Sequence, residues 1–188
     1  SIFEISSNLQ GINNNPDKET IKKIDLKFEA AKSLGSKLIL LKSTILKQNY
    51  LDCSSIERAL KYIALRASYF GVRVAYMSIP TDFSIGNVDP AIKTIESIGS
   101  PYLGLAINSL YALSNGSRPS ELRDVPIHRI FHVQLCDGYV QQPASEEQSN
   151  HSDMLPGQGN LNLAGFVKVI AASGYKGNWS LAKIDSKK

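Results

Sequence analysis

The side chains with the most chemical capacity gather where apolar runs end. In Ile130–Cys136, alternation along an extended chain puts His132, Gln134 and Cys136 on one face, with Asp137 directly after them. An imidazole and a thiol on one face would suit a soft metal, whereas a histidine hydrogen-bonded inside a core needs no metal. Gln134 offers an amide oxygen, either as a neutral ligand or as a plain hydrogen-bonding group. A second run, Tyr102–Asn108, ends on another amide. Asp137 reads as a carboxylate that orients a loop, and Pro156-Gly-Gln-Gly159 as turn chemistry that positions the segment behind it. His151 sits in a loop rich in Ser, Asn, Glu and Gln, facing either solvent or a pocket. Glu4 and Asp82 are carboxylates that would add charge near the same groups.

These groups need a scaffold, and the rest of the chain spells one out. Candidate strands are Ser1–Ile5, Lys37–Leu41, Val72–Met77, Tyr102–Asn108, Ile130–Cys136 and Trp179–Ile184. Their starts lie mostly about 30 to 45 residues apart, the length of a strand–helix unit. Asp17 can cap a helix over Lys18–Leu34, with Ile21, Ile24, Phe28, Ala31 and Leu34 as its apolar stripe and Gly35 as its stop. Ser54 or Ser55 opens the next, through Ala59, Ile63 and Ala67 to Gly71. Asp89-Pro90 begins a third with proline at the first helical position, and Leu163–Ser173 is stopped by Gly174. Strands alternating with helices mean a parallel sheet covered by helices, in an α/β fold. Both an open doubly wound sheet and a barrel satisfy that pattern. Ser6–Gly11, after the first strand, holds one glycine and no phosphate fingerprint, which lowers the dinucleotide fold. Polar Asn108, Gln134 and Asp137 at the ends of strands favour the barrel, whose chemistry sits there.

With 188 residues the chain can build one domain with a sizeable core. Its hydrophobic fraction of 43% and charged fraction of 20% are ordinary for a globular protein. The formal charge of +4 comes from scattered Lys and Arg, with no interleaved aromatic stripe, so it reads as a solvated surface and not as a nucleic-acid interface. Cys53 and Cys136 stand far apart with no CxxC pattern, as free thiols of a reducing compartment would. No apolar run approaches the ~18 residues of a membrane span, and a cytoplasmic location is the default expectation. The chain opens at Ser1 directly on a strand, which points to a trimmed chain or a piece of something longer.

The last third carries a resemblance. His132-Val-Gln-Leu-Cys-Asp-Gly138 leads into a polar loop, followed by Leu155-Pro-Gly-Gln-Gly-Asn160, a helix, and Gly174-Tyr-Lys-Gly-Asn-Trp-Ser-Leu181. This order resembles the xylose-isomerase-like barrels of the sugar phosphate isomerase and epimerase superfamily. Those show a strand ending HxK or VQLxD, a PGxGxxD/N loop, a helix and GYxGxxSLE. Gln134 and the PGQG at 156–159 resemble the bacterial 3-dehydroshikimate dehydratases in particular. Upstream, Leu26–Leu41 is similar to a helix and the following strand of the family. Gly71-Val-Arg-Val-Ala-Tyr-Met77 is similar to GLRVGYE, Gly104-Leu-Ala-Ile-Asn-Ser-Leu-Tyr111 to GLILDSFH, and Arg123–Phe131 to the approach to the seventh strand. The resemblance implies an incomplete (β/α)8 TIM barrel, a single partial domain over residues 1–188 holding strands three to eight.

It also implies a site. In the family a Glu, an Asp, a Gln or His, and a second Glu hold a divalent cation such as Mg, Mn or Co at the ends of strands five to eight. A His beyond the Asp takes a proton α to the ketone. Here the ligand positions fall on Met77, Asn108, Gln134 and Ala182, and the base on Tyr111. Only Gln134 is retained; Asn108 keeps an oxygen without charge, and tight cation binding is not expected. A carboxylate-binding Arg aligns with Ser7. The substrate loop SRHxR reads Ser149-Asn-His-Ser-Asp153, which keeps Ser149 and His151 as substrate-binding candidates and loses both arginines. The expectation is a catalytically impaired relative of a metal-dependent dehydratase or sugar isomerase, bound if at all to a hydroxy-acid or sugar-like small molecule. The alternatives are an active lyase or isomerase with a rearranged site, or a structural or binding subunit. Without the first two strands the sheet would have open edges at Ser1–Ile5 and Trp179–Ile184, so self-association or a missing N-terminal segment is expected.

Overall fold

The computed structural model describes residues 2–7, 16–43, 53–79, 87–113, 118–139 and 154–182; for 2–7 and Ser43 only the backbone is described. The chain forms two compact units, Ser1–Ala106 and Ile107–Lys188.

The first unit is a run of strand–helix repeats: β1 (Ile2–Ser7), α1 (Lys18–Ser33), β2 (Leu38–Ser43), α2 (Cys53–Phe70), β3 (Arg73–Met77), α3 (Val88–Ile98) and β4 (Leu103–Asn108), whose last two residues belong to the second unit. The strands pair in parallel and in chain order, with Ile2 against Leu38, Leu38 against Arg73 and Val74 against Leu103. All six residues of β4 and the last four of β3 are buried, as expected of parallel strands covered on both faces. The helices supply the cover. In α2, Ile56, Ala59, Leu60, Ile63, Ala64 and Ala67 recur at helical spacing and are all buried, each large side chain contributing about 1.5–3 kcal/mol. Between α1 and α2, Phe28 stacks on Phe70 at 5.4 Å, and the Arg66 guanidinium reaches Asp25 at 2.7 and 2.8 Å while lying over the Tyr69 ring.

Asp17 caps α1 as the sequence predicts, its carboxylate accepting from the Thr20 amide at 2.7 Å. The helix ends one residue earlier than expected. Leu34 is 65% exposed and outside the apolar stripe, because the chain turns at Gly35, where φ is +67°. Proline does not open α3. Asn87 is its N-cap and Pro90 is its third residue, still within the first turn whose N–H groups have no partner inside the helix. Helix α2 begins at Cys53, ahead of Ser54 and Ser55.

The second unit holds the end of β4, a short α4 (Ser109–Leu113), 3-10 turns at Pro119–Asp124 and Ile127–Arg129, β5 (Ile130–Leu135), α5 (Leu163–Ala172) and β6 (Trp179–Leu181). Strand β6 runs parallel to β5, with Gln134 opposite Ser180, and Ala182 continues the ladder by donating its amide to the Leu135 carbonyl at 2.9 Å. It covers the first three residues of the expected Trp179–Ile184, of which Lys183 and Ile184 lie outside the described residues. Trp179 and Leu181 are exposed, and Ser180 is only partly covered. Helix α5 is capped by Asn162, whose side chain accepts from the Gly165 amide at 2.9 Å, and it buries Phe166 and Ile170.

Candidate functional site

The four positions singled out in the sequence stand at the C-terminal ends of successive strands. Met77 is the last residue of β3, Asn108 the last of β4, Gln134 the penultimate of β5, and Ala182 follows β6. Met77 belongs to the first unit and is buried; the other three belong to the second.

In that unit the geometry begins with α4. Its five residues cannot hold a helix by propensity, so its first amides need an outside acceptor. Asn108 provides it, its Oδ1 accepting from Leu110 N at 2.9 Å and Tyr111 N at 3.3 Å. Two N–H donors fix which end of the amide is oxygen, so the Nδ2 must point the other way. It donates to Gln134 Oε1 at 2.8 Å, and this in turn fixes the orientation of Gln134. Ser109, fully buried, ties α4 to β5 by donating to the Cys136 carbonyl at 2.6 Å and accepting from the Cys136 amide at 2.9 Å. Tyr111, at the position of the expected base, is half-buried within α4.

His132 and Gln134 share a face as alternation predicts, and both are buried. His132 Nε2 lies 2.8 Å from Ser180 Oγ. The Cys136 thiol points elsewhere, toward the carbonyls of Met154 at 3.6 Å and Asp137 at 3.7 Å. The imidazole and the thiol are thus each engaged by different partners, not by one another as a soft-metal pair. Ser180 was not singled out in the sequence, although its register opposite Gln134 follows from Ala182 two residues on. Ser7 closes β1, with its side chain outside the described residues. Ser149, His151, Asp82 and the Glu4 side chain also lie outside them.

Asp137 is the organising charge of the unit. Almost fully buried, it accepts at Oδ1 from Gly138 N at 2.8 Å and Leu161 N at 3.3 Å, and at Oδ2 from Gly157 N at 2.8 Å. Burial alone would raise its pKa. The amides of Gly138, Gly159, Gly157 and Leu161 outweigh burial and hold the carboxyl below its ordinary 3.8. The same residue forms a two-way backbone bridge with Met154, at 2.8 and 3.0 Å. The PGQG glycines exist for this carboxylate. Gly157 takes φ +93°, and a Cβ on Gly159 would run into the Gly138 carbonyl and the Asp137 carboxylate. Gly177 answers a similar need, since a Cβ there would strike the Tyr175 hydroxyl, which donates to the Asn178 carbonyl at 2.9 Å.

Within each unit the parallel strands alternating with helices are the local architecture the resemblance implies. A family model described as "Xylose isomerase-like TIM barrel" matches residues 3–185. The chain belongs to this family. It is 26% identical over 181 residues to a 3-dehydroshikimate dehydratase of Pseudomonas putida, covering 96% of this chain and 28% of that protein. A 3-dehydroshikimate dehydratase of Pseudomonas aeruginosa is 29% identical over 161 residues, covering 86% of this chain and 25% of the relative. Among solved structures, a xylose isomerase-like TIM barrel/4-hydroxyphenylpyruvate dioxygenase fusion protein superposes with a TM-score of 0.86 at 26% identity, over 99% of this chain and 30% of that one. The chain thus spans between a quarter and a third of the length of these three proteins, and its fold is part of a TIM barrel.

Taken one by one, none of the side chains at the four strand ends offers a charged oxygen to a hard divalent cation. Asn108 Oδ1 already accepts two hydrogen bonds and Gln134 Oε1 one, and neither carries charge. Met77 offers a thioether and Ala182 a methyl group. Among the described residues no three His, Cys, Asp or Glu side chains stand together as a metal site would require, and no helix is long and apolar enough to cross a membrane.

Proposed function

We propose that this chain is part of a barrel related to 3-dehydroshikimate dehydratase that has given up metal-dependent lyase chemistry and at most binds a hydroxy-acid or sugar-like ligand. The observation that carries this reading is the Asn108–Gln134 pair. Where a cation would need two charged or open oxygens, the two amides are bonded to each other and to α4. A ketone is polarised by a cation, and a base near pH 7 removes the adjacent proton. Met77 offers no charged oxygen and Ala182 no ligand atom, and Tyr111 carries a phenol, a group that is a poor base near pH 7. Losing such groups together abolishes turnover, since single losses commonly cost about 10²-fold or more.

The test is calorimetry with Mn and an assay for dehydration of 3-dehydroshikimate. The chain as it stands is expected to show neither tight metal binding nor turnover. Met77→Glu, Asn108→Asp and Ala182→Glu combined should gain measurable divalent-metal affinity. Micromolar binding by the unmodified chain, abolished by Gln134→Ala, overturns the reading. No gain in the triple variant overturns the assignment of those positions.

A further inference from the structure

A groove of about 640 Å³ lies in the second unit between the 3-10 turn Pro119–Asp124 and α5. Gly165, Lys168, Val169 and Ala172 face it at intervals of three and four, a single stripe of α5, while Phe166 and Ile170 point into the core. Gly165 and Ala172 leave the space open and Val169 makes its floor apolar. The rim is basic, formed by Arg118, Arg123 and Lys168. Arg118 is partly offset by Glu121 at 3.5 Å. Arg123 and Lys168 form no ion pair among the described residues, so the groove presents about two uncompensated positive charges beside an apolar floor. At the start of α5, the Leu163, Gly165 and Phe166 amides already have acceptors in Leu161 and Asn162.

We infer that this groove binds a small phosphate monoester, its dianionic head between Arg123 and Lys168 and its organic part over Val169 and Ala172. The charge decides the class. A phosphate monoester carries about −1.5 to −2 near neutral pH, which matches two free cations, whereas a carboxylate matches one. The volume falls within the roughly 300–1,000 Å³ of small-molecule sites. Arginine adds planar, two-point recognition of phosphate oxygens. The site stands apart from the strand-end residues and does not depend on whether they retain chemistry.

Phenyl phosphate is a suitable probe, titrated into the full chain by calorimetry at low ionic strength beside phenol and inorganic phosphate. Saturable binding of phenyl phosphate is expected, tighter than either part alone and weakened by added salt. Arg123→Gln with Lys168→Gln should weaken it about tenfold or more while leaving the circular dichroism unchanged. Ala172→Leu keeps the charges and the helix but fills the floor, and should weaken it as well. The inference fails if phenyl phosphate does not saturate, if phenol binds equally well, or if binding survives both the charge and the filling substitutions.

Discussion

Asp137 is a buried residue through which acid acts on this chain. Its carboxylate sits among four backbone amides in a place almost closed to water, so the folded protein holds the proton more weakly than the unfolded chain does. The sign follows. Its contribution to stability is complete above about pH 3.8, the unfolded value, and is lost as pH falls through the lower folded value, because the unfolded state takes up the proton first. Asp137→Asn keeps the shape but turns an NH2 group toward amides that need an acceptor. It is expected to cost about 2–3 kcal/mol in urea unfolding at neutral pH and to remove this residue's share of the acid dependence below pH 4. An unchanged acid limb in the variant would show that other carboxylates set it. The sequence reveals Asp137 and PGQG separately as loop-forming. Their union is not legible there, since Gly157 lies 20 positions from the carboxylate it serves and no local pattern joins them.

At the scale of elements, legibility followed locality. The cap at Asp17 and the stripe of α2 depend on residues within a few turns, and the sequence shows both. Helix α4 does not announce itself, because a five-residue helix is made by its capping side chain and by Ser109 reaching across to Cys136. The same reason hid the hydrogen bond between Asn108 and Gln134, although both residues were candidates. Capping makes a test possible. Asn108→Asp retains an acceptor for Leu110 and Tyr111, and Gln134 can turn its NH2 toward the new oxygen, so these donors offset part of the cost of burying a charge and the change should cost less than loss of the side chain. Asn108→Ala leaves two helix amides and a buried glutamine without partners and should cost about 2 kcal/mol or more. Equal effects of the two substitutions in thermal unfolding would mean that α4 does not depend on its cap.

For the whole molecule the exposed strand β6 has the largest consequence in solution. Leu181 is 68% and Trp179 37% exposed on a strand that, among the described residues, pairs only with β5. Open backbone beside apolar side chains recruits further strands. Sedimentation is therefore expected to show concentration-dependent self-association, shifted toward monomer by Leu181→Lys. A chain that remains monomeric at every concentration, with or without the lysine, would refute this. The paired amides also bear on where charge can first be introduced at these positions. Asn108→Asp can come first, because the cap accepts it and Gln134 can turn to meet it. Ala182→Glu cannot, because position 182 is 8% exposed and a lone carboxylate there would be stranded out of water at a cost of several kcal/mol. Under the proposed reading, a cation site engineered here is therefore built from Asn108 before Ala182, so that one hydrogen bond sets the order in which charge can be added.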